Sequence, residues 1–136
     1  MRLLVLPLAL MLNMFCFEAS STVPANAQST NAIARGNCKA ASDKCQKTLD
    51  YCNKKKGKLG EADVTDALKD CIAVCNSAEK ILARNSVLTP KMSSLTIEAC
   101  NTVAKACDQF PSDNTMQACA NEVRKCVGNL QKVANK

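Results

Sequence analysis

The chain has 136 residues, a net charge of +6, ten cysteines, and neither histidine nor tryptophan. Without imidazole, histidine-based proton transfer and histidine-ligated metal sites are excluded, so any metal centre must be built from sulfur and oxygen. One Tyr, three Phe and four each of Gly and Pro, against abundant Ala, Lys, Leu and Asn, favour helices over sheets.

The N-terminus has the shape of a signal peptide. Arg2 supplies a positive charge, residues 3–17 are almost uniformly apolar, and a polar stretch then leads to Ala25-Asn26-Ala27, an A-x-A cleavage pattern. The apolar run is too short to cross a bilayer comfortably. Cleavage is expected after Ala27, which assigns residues 1–27 to the leader and residues 28–136 to one domain. A lipid anchor at Cys16 is disfavoured, because Asn13-Met14-Phe15 does not offer the small residues that precede a lipidated cysteine. The expected location is therefore an exported one, a periplasm or the cell exterior, with no membrane contact after cleavage.

Residues 28–34 are expected to be a lead-in. The first helix is predicted over about 31–56, ending at Gly57 and Gly60 with Lys54, Lys55 and Lys56 at the negative end of its dipole. The run 54–58 has no interleaved aromatics, so it reads as a solvated helix end and not as a nucleic-acid contact. A second helix, about 62–84, opens with Glu61, Asp63 and Asp66 and closes at Asn85-Ser86. Thr89-Pro90 reads as an N-cap followed by Pro at the first position of a third helix, which stops before Pro111. Ser112-Asp113-Asn114 caps a fourth helix running to about Ala134. Short connections predict an all-α, antiparallel four-helix bundle.

The cysteines fall on the apolar seams of these helices. The first seam carries Cys38, Ala41, Cys45, Leu49 and Cys52, and the second Val64, Leu68, Cys71, Cys75 and Leu82. Ile97, Cys100, Val103, Cys107 and Phe110 form the third, and the fourth adds Cys119, Val123, Cys126, Leu130 and Val133 after Met116. Inward-facing cysteines thus stand where leucine or isoleucine is usual. Small hydrophobes are one explanation, but nine unused thiols in an exported protein would be prone to oxidation. Disulfide stapling is another: Cys107 with Cys119 and Cys100 with Cys126 would form two rungs of one hairpin, while Cys52 meets Cys71 across a turn. Soft-metal binding is the third. Thiolates select Cu(I), zinc or iron–sulfur clusters, and no C-x2-C knuckle is present. Cys71 and Cys75, four apart, are adjacent on one helix face. Cysteines seven apart are separated by about 10.5 Å along a helix and must find partners on other helices, giving stacked thiol layers. Such layers permit either metal or disulfides, and bare thiolates would also accept zinc.

Asp70-Cys71-Ile72-Ala73-Val74-Cys75, then Ala78 and Leu82-Ala83-Arg84-Asn85-Ser86, together with Glu98-Ala99-Cys100, Val103 and Cys107-Asp108, resemble the cysteine-rich four-helix-bundle copper-binding or copper storage proteins. The resemblance implies that Cys38, Cys45, Cys52, Cys71, Cys75, Cys100, Cys107, Cys119 and Cys126 hold several Cu(I) ions for storage or sequestration. It also marks this chain as cysteine-depleted, with Val64, Ser93 and Val103 at places where cysteine is common in the family. Members often carry histidines near the bundle mouth, and here only Met92 and Met116 offer soft thioethers after the leader; both read first as core fillers. No phosphate loop, nucleophile with a base, or paired catalytic acids is found, so no enzyme is expected. The partners expected are copper ions and no nucleic acid, with self-association left open. The alternative function is a disulfide-stapled helical interaction module without metal.

Overall fold

The computed structural model describes residues 25–135, so most of the leader expected over residues 1–27, with Cys16, lies outside them. Four helices follow in order: α1 (Ala25–Lys55), α2 (Ala62–Ala83), α3 (Thr89–Asp108) and α4 (Asn114–Ala134). A 3-10 turn at Gly57–Gly60 joins the first two. No strand occurs among the described residues. Each helix packs against two neighbours, α1 on α2 and α4, α3 on α2 and α4, while the backbones of the diagonal pairs stay apart. This is the antiparallel bundle that short loops and single apolar stripes require.

Helix ends follow local chemistry. Lys56 and then Gly57 adopt positive φ values of 59° after Lys55, a turn in which helical hydrogen bonding cannot continue. Asn85, φ 49°, ends α2 with Asn85 N–H bonded to Leu82 O and Ser86 N–H to Ile81 O, a left-handed C-cap that asparagine tolerates. Asp113 caps α4, one carboxylate oxygen accepting from Met116 N–H at 3.0 Å.

Two boundaries differ from the sequence reading. Helix α1 begins at Ala25, so the lead-in expected at 28–34 is helical, and Ala34 is already fully buried. Nothing in 25–34 breaks a helix, and no local signal marked its start. Helix α3 is capped one residue early, at Leu88, rather than by Thr89. No side chain caps α3: Ser86 Oγ accepts from Leu88 N–H within the preceding turn, and the Thr89 hydroxyl is turned into the protein without a partner among the described residues.

The core is a single column. It contains all nine cysteines of the described residues, together with Leu49, Val64, Leu68, Leu82, Val103, Met116, Val123, Leu130 and Val133. Tyr51, Ile97 and Phe110 are half-buried against it, and Lys54, Lys55, Lys56 and Lys58 are exposed.

Candidate metal centre

The seams place one cysteine of every helix at each of two levels. Cys38 (α1), Cys75 (α2), Cys100 (α3) and Cys126 (α4) make the first, with Cys38 Sγ 3.8 Å from Cys126 Sγ and Cys75 Sγ 3.9 Å from Cys100 Sγ. Cys45, Cys71, Cys107 and Cys119 make the second, with Cys45 Sγ 3.9 Å from Cys119 Sγ. The steps from 38 to 45, 100 to 107 and 126 to 119 are all seven residues, whereas α2 steps only four, from 75 to 71. Cys71 therefore sits between the levels, 3.8 Å from Cys75 Sγ and 3.7 Å from Cys100 Sγ in the first and hydrogen-bonded to Cys45 in the second. Cys52 lies beyond the second level, its Sγ 3.7 Å from Met116 Sδ.

All nine thiols are free and fully buried. The rungs foreseen between α3 and α4 do face each other, Cys100 towards Cys126 and Cys107 towards Cys119. The closest sulfur contacts of α4 nonetheless run to α1. Because α1 and α3 share the seven-residue step, α4 matches both, and the sequence could not choose between them. Cys52 pairs with Met116 and not with Cys71, because the α2 residue facing that end of the bundle is Val64.

Cys71, Cys75 and Cys100 form the tightest cluster, with all three sulfurs in mutual contact. Their separations are nearly equal, so the centre of the triangle lies about 2.2 Å from each sulfur, close to the length of a thiolate–metal bond. A linear two-sulfur site would need about 4.6 Å between sulfurs at such bond lengths, longer than any contact here. The arrangement thus favours three-sulfur coordination of a soft ion, with Cys38, Cys126 and Cys45 close behind.

The electrostatics are those of hydrogen-bonded thiol clusters, in which one thiol of each level is held down and its neighbours are pushed up. Hydrogen bonds from Cys100 first, then Cys126, Cys38 and Cys71, hold the Cys75 thiol well below its ordinary range, against the opposing effect of burial. In the second level, hydrogen bonds from Cys107 and then Cys45 do the same for Cys119. The surrounding thiols are correspondingly pushed up: Cys38 and Cys100 by hydrogen bonding with Cys126 and further thiols, Cys45 and Cys107 by hydrogen bonding with Cys119, with burial adding to each. Each level can thus hold a thiolate inside an apolar bundle because neighbouring S–H groups solvate it. A soft cation replaces those shared protons.

The copper storage protein family model matches residues 25–135, the whole of the described bundle. The chain belongs to the copper storage protein family. A search of curated proteins found no match at a significant level. Copper storage is a binding role, and the family is not an enzyme family. Three positions set apart in the sequence as places of cysteine in the family are core positions here: Val64, Ser93 and Val103 are buried, and Ser93 Oγ has no partner among the described residues.

Reasoning from the sequence missed two features. Met116, placed on the α4 seam and read as a filler, has its sulfur against Cys52 Sγ at 3.7 Å, a contact across 64 residues. The hydrogen bond from Tyr51 Oη–H to the Asp113 carboxylate, 2.7 Å across the end of the bundle, left no trace in local pattern because 62 residues separate the two.

Proposed function

We propose that the chain stores Cu(I) in an exported compartment, with the nine core cysteines as its ligands and several ions as its cargo. The observation that carries this reading is the Cys71–Cys75–Cys100 triangle at the junction of two four-cysteine levels, in a chain of the copper storage family. Thiolate sulfur suits a soft monovalent ion, and sulfurs that contact others in two directions can bridge neighbouring ions. As each Cu–S bond forms, a thiol releases its proton to solvent and copper stays Cu(I), so no electron moves. The dry core keeps oxidants and water from the loaded sulfurs. Export rests on the leader-like segment 1–27; cleavage after Ala27 would leave the core intact, since the first buried residue is Ala34. No described helix is long and apolar enough to cross a membrane.

The test is an anaerobic Cu(I) titration of the reduced protein against a chromophoric chelator, repeated on the Cys71→Ala/Cys75→Ala variant. Several tightly held equivalents, with capacity reduced in the variant, are expected. A reduced protein that takes no copper from the chelator would overturn the reading. A second reading, a stapled non-metal module, draws on the Cys38–Cys126 and Cys45–Cys119 contacts, at 3.8 and 3.9 Å. Native intact mass separates the two, because each bridge removes two hydrogens.

A further inference from the structure

The end of the bundle where α2 turns into α3 differs in charge from the rest. Antiparallel order brings three segments together there, 25–34, 80–97 and 127–135, which contain Lys80, Arg84, Lys91 and Lys132 and no acidic residue. Every Asp and Glu of the described chain lies in 35–79 or 98–126. All four cations are exposed, and none forms an ion pair among the described residues. Glu79, the acid one residue short of this end, is engaged by Arg35 at 3.9 Å.

The same segments hold the large apolar side chains that stand exposed among the described residues: Ile33, Val87, Leu88 and Leu95. Val87 is the extreme case, 94% exposed at the tip of the connection 84–88. The tip is built rather than loose. Asn85 takes a φ of 49°, its Oδ1 accepts from Asn31 Nδ2–H at 2.7 Å and so ties the turn to α1, and Ser86 Oγ accepts from Leu88 N–H at 3.2 Å. Val87 stands between these fixed residues with its side chain held clear of the protein.

We propose that this end docks on a membrane surface rich in anionic phospholipid, Val87 and Leu88 entering the headgroup layer while Lys80, Arg84 and Lys91 pair with lipid phosphates. An aliphatic tip ringed by unpaired cations matches the order of an anionic bilayer, in which negative phosphates lie outside an apolar interior. A projecting tip also fits a fluid surface, whereas a protein partner would need a groove shaped to receive it. The contact is peripheral, since no described helix is long and apolar enough to cross a membrane. It departs from the expectation of no membrane contact after the leader is removed, because its cations and aliphatic residues are scattered over separate segments and form no amphipathic run in the sequence. The thiol levels stand clear of it: α2 ends at Ala83, eight residues beyond Cys75, about 12 Å along the axis. The proposal is therefore independent of the copper reading.

The test uses the full chain with Val87→Trp. The parent has no tryptophan, so this substitution places a single fluorescent reporter at the tip, and at such exposure it disturbs no packing. With vesicles of mixed phosphatidylglycerol and phosphatidylcholine, the emission should move to shorter wavelength and be quenched by acyl-brominated lipid; with phosphatidylcholine alone it should do neither. Adding Arg84→Gln and Lys91→Gln should weaken partition onto the anionic vesicles about twenty-five-fold, about fivefold for each cation lost. The leader-like segment is the same in both chains, so binding through it would persist in the charge variant. A reporter that stays in water on anionic vesicles, or a shift that survives the loss of both cations, overturns the proposal. So does a parent chain that fails to sediment with anionic vesicles, since the contact would then belong to the tryptophan. A shift that appears without lipid as the protein is concentrated would place a second copy on this end and would likewise overturn it.

Discussion

Cys100 is the one corner of the sulfur triangle that comes from a second helix, so Cys100→Ala tests the cluster without unmaking the Cys71–Cys75 pair. Alanine is preferable to serine, whose hydroxyl would be buried among poor acceptors at a cost of about 1–3 kcal/mol. Removing one buried sulfur and leaving a small cavity should cost the empty protein about 1–2 kcal/mol. For a domain of this size, that lowers Tm by about 4–8 °C. The copper-dependent part should be larger. The remaining pair, 3.8 Å apart, must spread towards about 4.6 Å to hold an ion linearly, and the three-sulfur site is lost. Affinity at that site should fall at least about tenfold, roughly 1.4 kcal/mol. Melting of empty and copper-saturated protein, followed by circular dichroism, together with chelator competition, reads both effects. The variant should show a lower empty Tm, a smaller rise on loading and a lower capacity. If the empty Tm falls as expected while capacity and the copper-induced rise equal those of the parent, copper is not held at the triangle and the reasoning fails.

The raised thiols give a pH signature. Burial first, then the Asp113 carboxylate and Cys119, pushes Cys52 up to about 11 from 9.0, and Cys38, Cys45, Cys100 and Cys107 shift the same way. A thiol whose folded pKa is raised contributes stability present below its unfolded value and lost as pH rises through the folded one. Empty protein should therefore lose Tm between about pH 9 and 11, as Cys52 and its neighbours are forced to ionise. Copper affinity should move the other way and tighten from pH 6 to 9, because fewer protons compete for sulfur; a flat competition curve over that range would argue against thiolate ligands. Val103 stands between Cys100 and Cys107 on the same seam, fully buried at the level where Cys71 is alone. Val103→Cys should add about one copper equivalent by titration at a stability cost of about 1 kcal/mol, and no gain would show that the space between the levels is closed to cargo.

The helices and their buried faces were legible because both signals are local. A seven-residue cysteine step on α1, α3 and α4 marks an apolar stripe, and Gly57, Asn85 and Asp113 mark the breaks. What joined across the bundle was less so. Cys126 meets Cys38 across 88 residues and Cys45 meets Cys119 across 74, and an equal step on three helices makes every pairing in register look alike. The triangle could be half read: Cys71 and Cys75 announce themselves by their spacing, but Cys100 joins them only because α3 packs on α2 with its first cysteine at the height of both. The start of α1 and the cap of α3 were missed for a different reason. At residues 25–34 no residue opposes a helix, and Thr89, a good capping residue, became the first residue of a helix that no side chain caps.

The choice of cysteine for nine core positions has an energetic consequence that bears on how storage works. Leucine at such a site would carry two more heavy atoms beyond Cβ, each worth about 0.8 kcal/mol when buried. Over nine buried positions the difference is about 14 kcal/mol, as large as the whole stability of an ordinary domain. Sulfur's polarisability recovers part of this, yet the empty bundle holds its helices together with less than a leucine core would supply. On the function proposed above, copper makes good the deficit, because an ion bound by sulfurs of two or more helices stabilises the folded state by an amount that grows with the logarithm of its free concentration over the dissociation constant. Loading and tightening of the bundle are then one equilibrium. The same core that accepts copper easily when empty therefore gives it up reluctantly when full, and it does so without any moving part beyond the helices themselves.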